Sequence, residues 1–551
     1  MNARQEFDYI IVGAGSAGCV LAARLSQDPN VRVALLEAGG PDDAPEIKMP
    51  VAFPQLFKTK YDWDFATEPE PALAERRIYL PRGKTLGGSS AINAMIYIRG
   101  NAADFDGWVD EGAPGWSYGE MLPYFIRSEC NERGDPRYHG HSGPLAVQDS
   151  RSMHPLVDHL IEAGVRSGYR PNDDFNGASQ LGVGRFQLTQ RNGVRCSAAS
   201  AYLHVARERT NLQVFTDTLV LRLLLHGNRA TAVSIFHHGQ EETLFSEREI
   251  ILAAGAYGSP QILMLSGIGS ADELAPFGIP AVVDLPVGNN LQDHPLLPMS
   301  YLTDETSLFG AGSPEDLALY QEGRGPLTSN VAEGGVFLST RGDDRVPDCQ
   351  FEMAPGMYFN EGLSAPFDHA LTMTTTILKP TSRGRVVLRS ARPDAKPRIY
   401  HNYLATDQDR ATMIASVRLA MNLFAQPNLS KVRRAPFSVP ASDAEADIVA
   451  FIEQGTGTNY HPTSTCAIGR VVDSDLRVFG TEGLRVADAS VMPSIVRGNT
   501  NAAVIAIAEK AADILLGKEP AKAPGLGTRK RPHLTSQNYG DAVDATRLVK
   551  E

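Results

Sequence analysis

Cysteine is scarce in this sequence, and long apolar runs are missing from it. The five cysteines among 551 residues include no C-x-x-C pair, so neither a zinc or other metal site nor a disulfide scaffold is expected. No apolar stretch approaches the roughly 18 residues that a membrane-spanning helix needs. The beginning, MNARQEFDYIIVGAG, lacks the basic, apolar and small regions of a signal peptide. We therefore expect a cytoplasmic protein without a transmembrane segment, and peripheral attachment to a membrane is left open.

Positive charge is not in excess either. The chain has 52 Lys and Arg against 64 Asp and Glu, a net charge of −12, which does not favour nucleic acid because that binding depends on neutralising phosphates. Hydrophobic residues make up 42% and charged residues 21% of the chain, as in an ordinary globular enzyme. This composition excludes disorder as the main state. The expected partner is a small molecule, and a homodimer is left open.

What is present begins with a dinucleotide-binding pattern near the N-terminus. The apolar run at 7–12 leads into a G-x-G-x-x-G motif formed by Gly13, Gly15 and Gly18, and a second apolar run follows at 31–36. Strand, glycine turn, helix and strand in this order predict a Rossmann βαβ unit. The glycines would permit a tight turn and a close approach of the backbone to a pyrophosphate, while the helix N-terminus faces the phosphates.

Glu37 ends the second apolar run, 19 residues beyond Gly18. A carboxylate at this position can accept hydrogen bonds from ribose hydroxyls and would repel the extra phosphate of NADP. The alternative is a solvated acid at the end of a strand.

Four later segments are more specific. They are 82–100 (RGKTLGGSSAINAMIYIRG), 255–269 (GAYGSPQILMLSGIG), 461–469 (HPTSTCAIG) and 485–502 (RVADASVMPSIVRGNTNA). In this order, and over roughly residues 5–518, the sequence resembles the glucose–methanol–choline (GMC) oxidoreductases. The resemblance is nearest to their bacterial choline dehydrogenase-like and FAD-dependent alcohol dehydrogenase branch. It implies FAD as the dinucleotide.

The resemblance also implies an α/β fold, α+β overall. A Rossmann-like FAD-binding domain would be intertwined with a substrate-binding domain built on a mainly antiparallel sheet with helices. We assign the FAD-binding domain to 1–155, 191–305 and 456–518, and the substrate-binding domain to 156–190 and 306–455. Residues 519–551 have few apolar side chains and are expected to form a polar tail.

Cofactor-binding positions follow from the same resemblance. The ADP half maps onto Gly13, Gly15, Gly18, Glu37 and Ala38, and the segment around the pyrophosphate and flavin onto Arg82, Gly87, Gly88, Ser89, Asn93, Ala94 and Ile96. Val220 would bracket the adenine through its backbone, Asp488 and Ala489 lie on a late strand that returns to the cofactor, and Asn501 and Ala502 would meet the pyrimidine edge of the flavin. Some family members attach FAD through a histidine just before the asparagine equivalent to Asn93. Ile92 stands there, so we expect non-covalent FAD.

His461 and Asn499 are the candidate catalytic residues. Oxidation of an alcohol releases a hydroxyl proton, and a histidine suits its removal because its pKa lies near neutrality. His461 opens the family's HP-x-x-T-C-like segment, in which Ser464 stands where many relatives carry glycine. Asn499 occupies the partner position and would hold the alkoxide. The alternative for Asn499 is a helix N-cap, since a buried helix is predicted over 501–516.

Substrate and electron acceptor stay open at this point. Tyr460, Tyr358 and Phe359 are candidate pocket-wall residues, and Glu333 is either a partner for a cationic substrate or a structural acid. The resemblance favours an alcohol dehydrogenase that passes electrons to a quinone or other carrier over an oxidase that uses dioxygen. A hydroxynitrile lyase and a light-driven fatty acid decarboxylase are alternatives on the same scaffold.

Between the motifs quoted above, the middle of the chain has weaker secondary-structure patterns. We predict sheet strands at 372–379 and 384–389, an amphipathic helix at 411–424, and loops at 130–150 and 302–326, which are rich in Gly, Pro, His and charge.

Overall fold

Two large β-sheets organise the computed structural model, which describes residues 5–343 and 345–521. The strands of the first sheet are, in spatial order, Leu212–Phe215, Val33–Leu36, Glu6–Val12, Gln240–Leu252, Arg229–His237 and Leu219–His226, and Leu484–Val486 pairs with the end of Gln240–Leu252. The first four strands and Leu484–Val486 run parallel, and the last two form an antiparallel extension. All four residues of Val33–Leu36 are buried, as expected for a parallel strand covered on both faces.

Helices from both ends of the chain cover this sheet. Ser16–Leu25 packs against Asn501–Leu515, which also packs against Tyr118–Ser128. Close packing explains Gly18, because a Cβ atom there would lie 1.8 Å from the carbonyl oxygen of Gly13. The predicted βαβ unit and the predicted C-terminal helix are therefore both present.

The second sheet is antiparallel throughout. Its strands are, in spatial order, Arg433–Ser438, Pro295–Thr303, Ala370–Ile377, Cys349–Ala354, Gly334–Leu338 and Gly182–Arg185, and Gly457–Thr458 pairs with Pro295–Thr303. A common hydrophobic core joins this sheet to four helices, Pro155–Arg166, Asp407–Phe424, Pro427–Val432 and Glu445–Gly455. The mixed α/β fold with a mainly antiparallel second sheet agrees with the predicted fold class.

Shorter elements connect the two sheets. The further helices are Pro45–Lys48, Ala102–Asp110, His204–Ala206, Gly255–Leu265, Ala271–Leu274 and Pro314–Gln321. The further strands are Phe65–Ala66, Tyr79–Leu80, Glu129–Asn131, Leu145–Asp149, Gln187–Leu188, Gln190–Arg191, Val194–Arg195, Asn289–Leu291, Gly384–Val387 and Arg398–Tyr400. Short 3₁₀ helices occur at Pro50–Leu56, Pro71–Leu73, Gly88–Ala91, Ala275–Phe277, Pro326–Thr328, Asn360–Gly362 and Ala489–Val491, and a π-helical turn at Ala199–Leu203.

Both loop predictions were wrong in part. Residues 130–150 contain the strand Leu145–Asp149 and most of Glu129–Asn131, and residues 302–326 contain the helix Pro314–Gln321. That helix begins with Ser313 and Asp316 in a reciprocal capping arrangement and has proline at its first position, a start signal that the polar composition obscured.

Two domain assignments also need comment. The boundary expected at residue 305 does not fall between the sheets, because Pro295–Thr303 already belongs to the antiparallel sheet. The predicted tail lies outside the described residues from 522 onward. Within the described residues, no helix is both long and apolar enough to cross a membrane.

Candidate active site

One cavity of about 330 Å³ brings the dinucleotide motif and the catalytic candidates together. The predicted site residues that line it are Gly13, Gly15, Glu37, Ala38, Arg82, Gly88, Ser89, Asn93, Ala94, Ile96, Val220, Tyr358, Tyr460, His461, Asp488, Ala489, Asn499 and Asn501. Three predicted cofactor residues, Gly18, Gly87 and Ala502, lie behind this wall instead. Gly18 is where helix and strand pack, Ala502 is buried within its helix, and Gly87 donates its N–H to the carbonyl of Ala14.

The dinucleotide end is formed by two turns that touch. Gly13 has φ +99°, and a Cβ atom there would lie 2.6 Å from the carbonyl oxygen of Ala253. Gly88 has φ +52°, and a Cβ atom there would lie 2.6 Å from the Cα atom of Gly15. Only glycine is accommodated at either position. A Cβ atom at Gly15 would meet nothing closer than 4.0 Å, so this side of the turn is open to the cavity.

The Glu37 carboxylate is buried and holds the glycine turn. It accepts hydrogen bonds from the backbone N–H groups of Ala14 and Gly39, each at 2.9 Å. Burial raises the pKa of Glu37 to about 7, against the lowering effect of these N–H donors. The alternative of a solvated strand-end acid is therefore excluded by its 5% exposure.

The last helix and a late strand close the same region. Asn501 accepts a hydrogen bond from the Ser16 hydroxyl at 2.6 Å, which ties together the N-termini of the first and last helices. The Asp488 carboxylate accepts from the N–H of Gly255 at 2.8 Å and from the Ser259 hydroxyl at 2.5 Å. Two helix N-termini thus face one cavity, a donor set suited to the phosphates of a dinucleotide.

A chain of hydrogen bonds fixes the proton on His461. The Nε2 atom of His294 lies 3.0 Å from the carbonyl oxygen of Leu378 and must donate to it. The Nδ1 atom of neutral His294 is then an acceptor, and it lies 3.0 Å from Nδ1 of His461. His461 therefore carries its proton on Nδ1 and presents an unprotonated Nε2.

The free Nε2 atom of His461 faces Asn499. The two side chains approach within 3.3 Å through the Nδ2 atom of Asn499. Gln350 donates to Oδ1 of Asn499 at 3.3 Å, and the Nδ2 atom also lies 3.5 Å from the Glu352 carboxylate. The helix N-cap is Thr500, with no side-chain cap, so the N-cap alternative for Asn499 was wrong.

Burial disfavours charged side chains at this centre. Burial and the neighbouring His294 ring hold the pKa of His461 well below its usual value. Burial lowers the pKa of His294 to about 4. Burial also raises the pKa of Glu352, although Asn459, Asn499 and Thr374 donate hydrogen bonds to it.

The loop around His461 is held by one buried acid and has strained backbone. Asp293 accepts from the N–H groups of His461 and His294 at 2.7 and 2.8 Å. Tyr460 has φ +65° and Ser464 has φ +76°, in the left-handed region that favours glycine. The serine that departs from the family pattern thus keeps the backbone conformation of a glycine.

Tyr460 and Tyr358 line the cavity as predicted. Their hydroxyl groups lie 2.6 Å apart. Arg82 donates to the carbonyl of Tyr460 at 2.9 Å, which links the start of the segment 82–100 to the residue preceding His461.

Two substrate candidates were wrong. Phe359 packs with Phe367 and Phe437 in an edge-to-face aromatic cluster outside the cavity wall. Glu333 is fully buried, and its carboxylate is bound by the Ser329 hydroxyl, the N–H of His154 and the Arg185 guanidinium. It is a structural acid, the alternative given above.

Sequence reasoning missed His294 and Glu352. His294 lies in NLQDHP and Glu352 in the strand Cys349–Ala354. Neither stands in one of the motifs quoted above, and each reaches the site only because the antiparallel sheet brings its strands beside the catalytic loop.

Comparison with known proteins agrees with this geometry. GMC oxidoreductase family models match residues 7–296 and 380–508. Mitochondrial choline dehydrogenase of Mus musculus is 42% identical over 93% of this chain and 90% of its own length. Alcohol dehydrogenase [acceptor] of Pseudomonas putida is 42% identical over 93% of this chain and 96% of its own length.

A solved structure of formate oxidase from Aspergillus oryzae, studied for FAD modification, is 27% identical to this chain. It superposes with a TM-score of 0.88 and covers 93% of this chain and 98% of its own. Because the family models span most of the chain and the fold and cavity agree with them, the chain belongs to the GMC oxidoreductase family and is an FAD-dependent enzyme acting on CH–OH groups.

Proposed function

We propose that this enzyme oxidises a small primary alcohol to an aldehyde with non-covalently bound FAD and passes the electrons to a quinone or another carrier. When bound, FAD supplies the acceptor for the hydride that leaves the alcohol carbon. Gly15, Glu37, Ser89 and the helix beginning at Asn501 are the groups that would hold it. The observation that carries the proposal is the unprotonated Nε2 of His461, which faces Asn499 in the same cavity.

His461 takes the hydroxyl proton of the alcohol. Its Nδ1 proton is donated to His294, so Nε2 carries the only ring lone pair, which the Asn499 amide approaches at 3.3 Å and which the alcohol hydroxyl would meet instead. The low pKa keeps this nitrogen unprotonated at neutral pH. A positioned base of this kind contributes about 10²–10⁴-fold to the rate.

Asn499 holds the substrate oxygen while its proton leaves. Its amide is oriented by Gln350, which donates to Oδ1, so that Nδ2 points toward His461. An N–H donor here would stabilise negative charge that develops on the oxygen.

Non-covalent FAD follows from Ile92. This aliphatic side chain is 3% exposed and offers no atom that could bond to the flavin. Unfolding the enzyme in acid and passing it through a filter should release all of the yellow colour. Flavin retained on the polypeptide would contradict this part of the proposal.

Apolar residues in the cavity wall favour an uncharged alcohol. Phe57, Leu296, Val331, Ala354 and Tyr358 all line the cavity, and aliphatic or aromatic primary alcohols match such walls. Choline is the second candidate, favoured by the choline dehydrogenases among the relatives. Glu352 would then be the group that meets its cation, because its buried carboxyl lines the cavity and forms no salt bridge within the described residues.

An anaerobic screen decides between these substrates. Bleaching of flavin absorbance is followed with choline and with aliphatic and aromatic primary alcohols. Glu352→Gln should selectively slow the reduction of the flavin by choline if choline is the substrate, and it should leave the ranking of uncharged alcohols unchanged. No bleaching with any alcohol, together with cleavage of a cyanohydrin or light-driven decarboxylation of a fatty acid, would replace the proposal by a lyase or a decarboxylase.

The acceptor is tested with the best alcohol. We expect rapid reduction of a quinone analogue or dye and little hydrogen peroxide in air. Peroxide formed at the rate of alcohol consumption would make the enzyme an oxidase instead.

Asn499→Asp tests the second catalytic residue. The aspartate keeps the size of the side chain but replaces the N–H donor and adds negative charge beside the developing alkoxide. Flavin reduction should slow by about 10²-fold, the usual effect of losing one oriented donor. A wild-type rate of reduction and an unchanged flavin potential would remove Asn499 from the mechanism.

A further inference from the structure

Arg195 is a buried cation without a counter-ion. The side chain is 5% exposed and forms no salt bridge with any described acid. Its Nε atom donates to the carbonyl of Ile47 at 2.7 Å, and its Nη1 atom donates to the carbonyl of Ser90 at 3.2 Å and to Oδ1 of Asn93 at 2.8 Å. The Nη2 atom is buried and has no hydrogen-bond partner among the residues that the structure describes.

A buried, unpaired guanidinium lowers the stability of the fold, so stability does not explain its presence. Removing a guanidinium from water without a paired carboxylate costs several kcal/mol, and an unsatisfied N–H adds to that. Burial accordingly lowers the pKa of Arg195 to about 9. A leucine or methionine would fill the same space without the penalty, so the charge and the donors need a reason outside the hydrophobic core.

The Asn93 amide has one possible orientation. Its Oδ1 atom accepts from Arg195 and also from the N–H of Met95 at 3.0 Å. Two donors on one side require the oxygen there, so the NH₂ group points the other way. Asn93 lines the cavity, and its Nδ2 atom has no hydrogen-bond partner in the described part of the chain.

The backbone that carries Asn93 is strained and held from behind. Met95 has φ +59°, a conformation that costs a non-glycine residue free energy and persists only where its surroundings impose it. Asn330 donates to the carbonyl of Ala94 at 2.8 Å, and the N–H of Thr189 donates to the carbonyl of Met95 at 2.8 Å.

Asn93 lies between the two ends of the cavity. Before it in the chain, Gly88 touches the glycine turn at Gly15, and after it, Ile98 packs beneath Gly498, beside the catalytic Asn499. FAD extends from the dinucleotide turn to the catalytic pair, so the flavin must pass this segment.

We propose that Arg195 is a positioning residue for the flavin: its guanidinium fixes the Asn93 amide with the N–H donors facing the cavity, where they meet an acceptor atom of the flavin ring. Its positive charge also lies behind this donor and stabilises the reduced cofactor, which is more negative than the oxidised one. The inference rests on FAD binding but not on the choice of alcohol or acceptor.

The test compares the midpoint potential of FAD in four holoenzymes: wild type, Asn93→Asp, Arg195→Met and Arg191→Met. Asn93→Asp keeps the oxygen that receives Arg195 and Met95 but loses the cavity-facing N–H donors. Arg191→Met is the matched control, because Arg191 is exposed and lies in the same hairpin. Dithionite reduces the flavin without any alcohol, so the measurement does not depend on which substrate the enzyme oxidises.

We expect at least a tenfold loss of preference for reduced FAD in Asn93→Asp and in Arg195→Met, which for two electrons is a lowering of about 30 mV. Arg191→Met should match the wild type. Release of FAD from folded Arg195→Met, with retention in the control, would also support the proposal.

Unchanged potentials in either Asn93→Asp or folded Arg195→Met would overturn it. An unfolded Asn93→Asp would do the same, because the aspartate preserves both hydrogen bonds of the turn. If Arg195→Met does not fold, Arg195→Lys takes its place. Its ammonium lacks the guanidinium fork, so the potential should still fall, and a wild-type potential would again overturn the proposal.

Discussion

At the scale of single residues, the tautomer of His461 decides what the site can do. His294 donates its ring proton to the carbonyl of Leu378, and His461 donates its Nδ1 proton to His294. The lone pair on Nε2 of His461 is therefore left at the cavity wall. The pKa of His461 is low because its ring is buried and because His294 and Arg82 disfavour a positive charge beside them. The base is therefore ready without a preceding deprotonation.

His461→Ala should retain FAD and slow flavin reduction by the best alcohol by about 10²-fold or more. In the wild type, the reduction rate should stay constant as pH falls from 8 to 6.5, since a base with a lowered pKa remains unprotonated there. Stopped-flow reduction under anaerobic conditions measures both. A near-normal rate in the variant, or half the rate lost at pH 6.5 in the wild type, would contradict the assignment.

Glu37 is the residue that holds the glycine turn at the dinucleotide end of the cavity. Glu37→Gln would set an NH₂ group against the N–H of Ala14 or of Gly39, which now share the carboxylate. Losing a hydrogen bond to a charged group costs about 1.5–3 kcal/mol, so FAD should bind at least tenfold more weakly. Titration of the apoprotein with FAD measures this, and an unchanged dissociation constant would show that the turn is held by other contacts.

At the scale of elements, the helix Ala102–Asp110 anchors the catalytic loop. Asp104 completes the capping box of this helix with Asn101 and is fully buried. Its carboxylate also binds the backbone and the side chain of Arg497, two residues before Asn499, and the ammonium of Lys379 at 3.3 Å. One acid thus fixes a helix start and the position of the loop.

Asp104→Asn should destabilise the enzyme by about 3 kcal/mol or more, because two cations lose their buried partner. Flavin reduction should also slow, since the loop carrying Asn499 is released. Asp106→Asn is the matched control: Asp106 lies in the same helix, is half-buried and, within 5–343 and 345–521, accepts only the N–H of Tyr118. Equal melting temperatures for the two variants would show that Asp104 does not anchor the loop.

At the scale of the whole molecule, the two ends of the chain are fastened by a buried carboxylate. Glu509, fully buried, receives Arg24 from the first helix, Arg127 from the helix Tyr118–Ser128 and the hydroxyl of Tyr202. Segments almost 500 residues apart in sequence therefore unfold together, because separating them would strand this charge in the core.

Stability of the whole fold should fall between pH 6.5 and pH 4. Burial lowers the pKa of His294 and of His401 to about 4, while both have ordinary values when unfolded. Below pH 6.5 these histidines become protonated in the unfolded chain but not in the native state. The free energy of unfolding therefore decreases as the pH falls. Each histidine contributes about 3 kcal/mol to this loss. Thermal unfolding of His401→Gln should show a shallower decrease than the wild type, and identical slopes would exclude His401 as a source.

The sequence by itself determined the dinucleotide unit and the family, and it predicted the candidate catalytic pair His461 and Asn499. These features are local: a glycine turn, a helix start or a short motif needs only neighbours in the chain to adopt its conformation. Tertiary structure decided which other side chains surround these residues. Glu352 lines the cavity from the strand Cys349–Ala354, while His294 contacts His461 and Arg195 contacts Asn93 from behind the cavity wall, because the fold brings together segments that are far apart in sequence. The same packing leaves Glu333 and Phe359 outside the cavity wall. The role of a polar residue on a strand depends on which face of the sheet its side chain occupies and on whether it is buried from water. Both are set only when the strands pack in the folded protein.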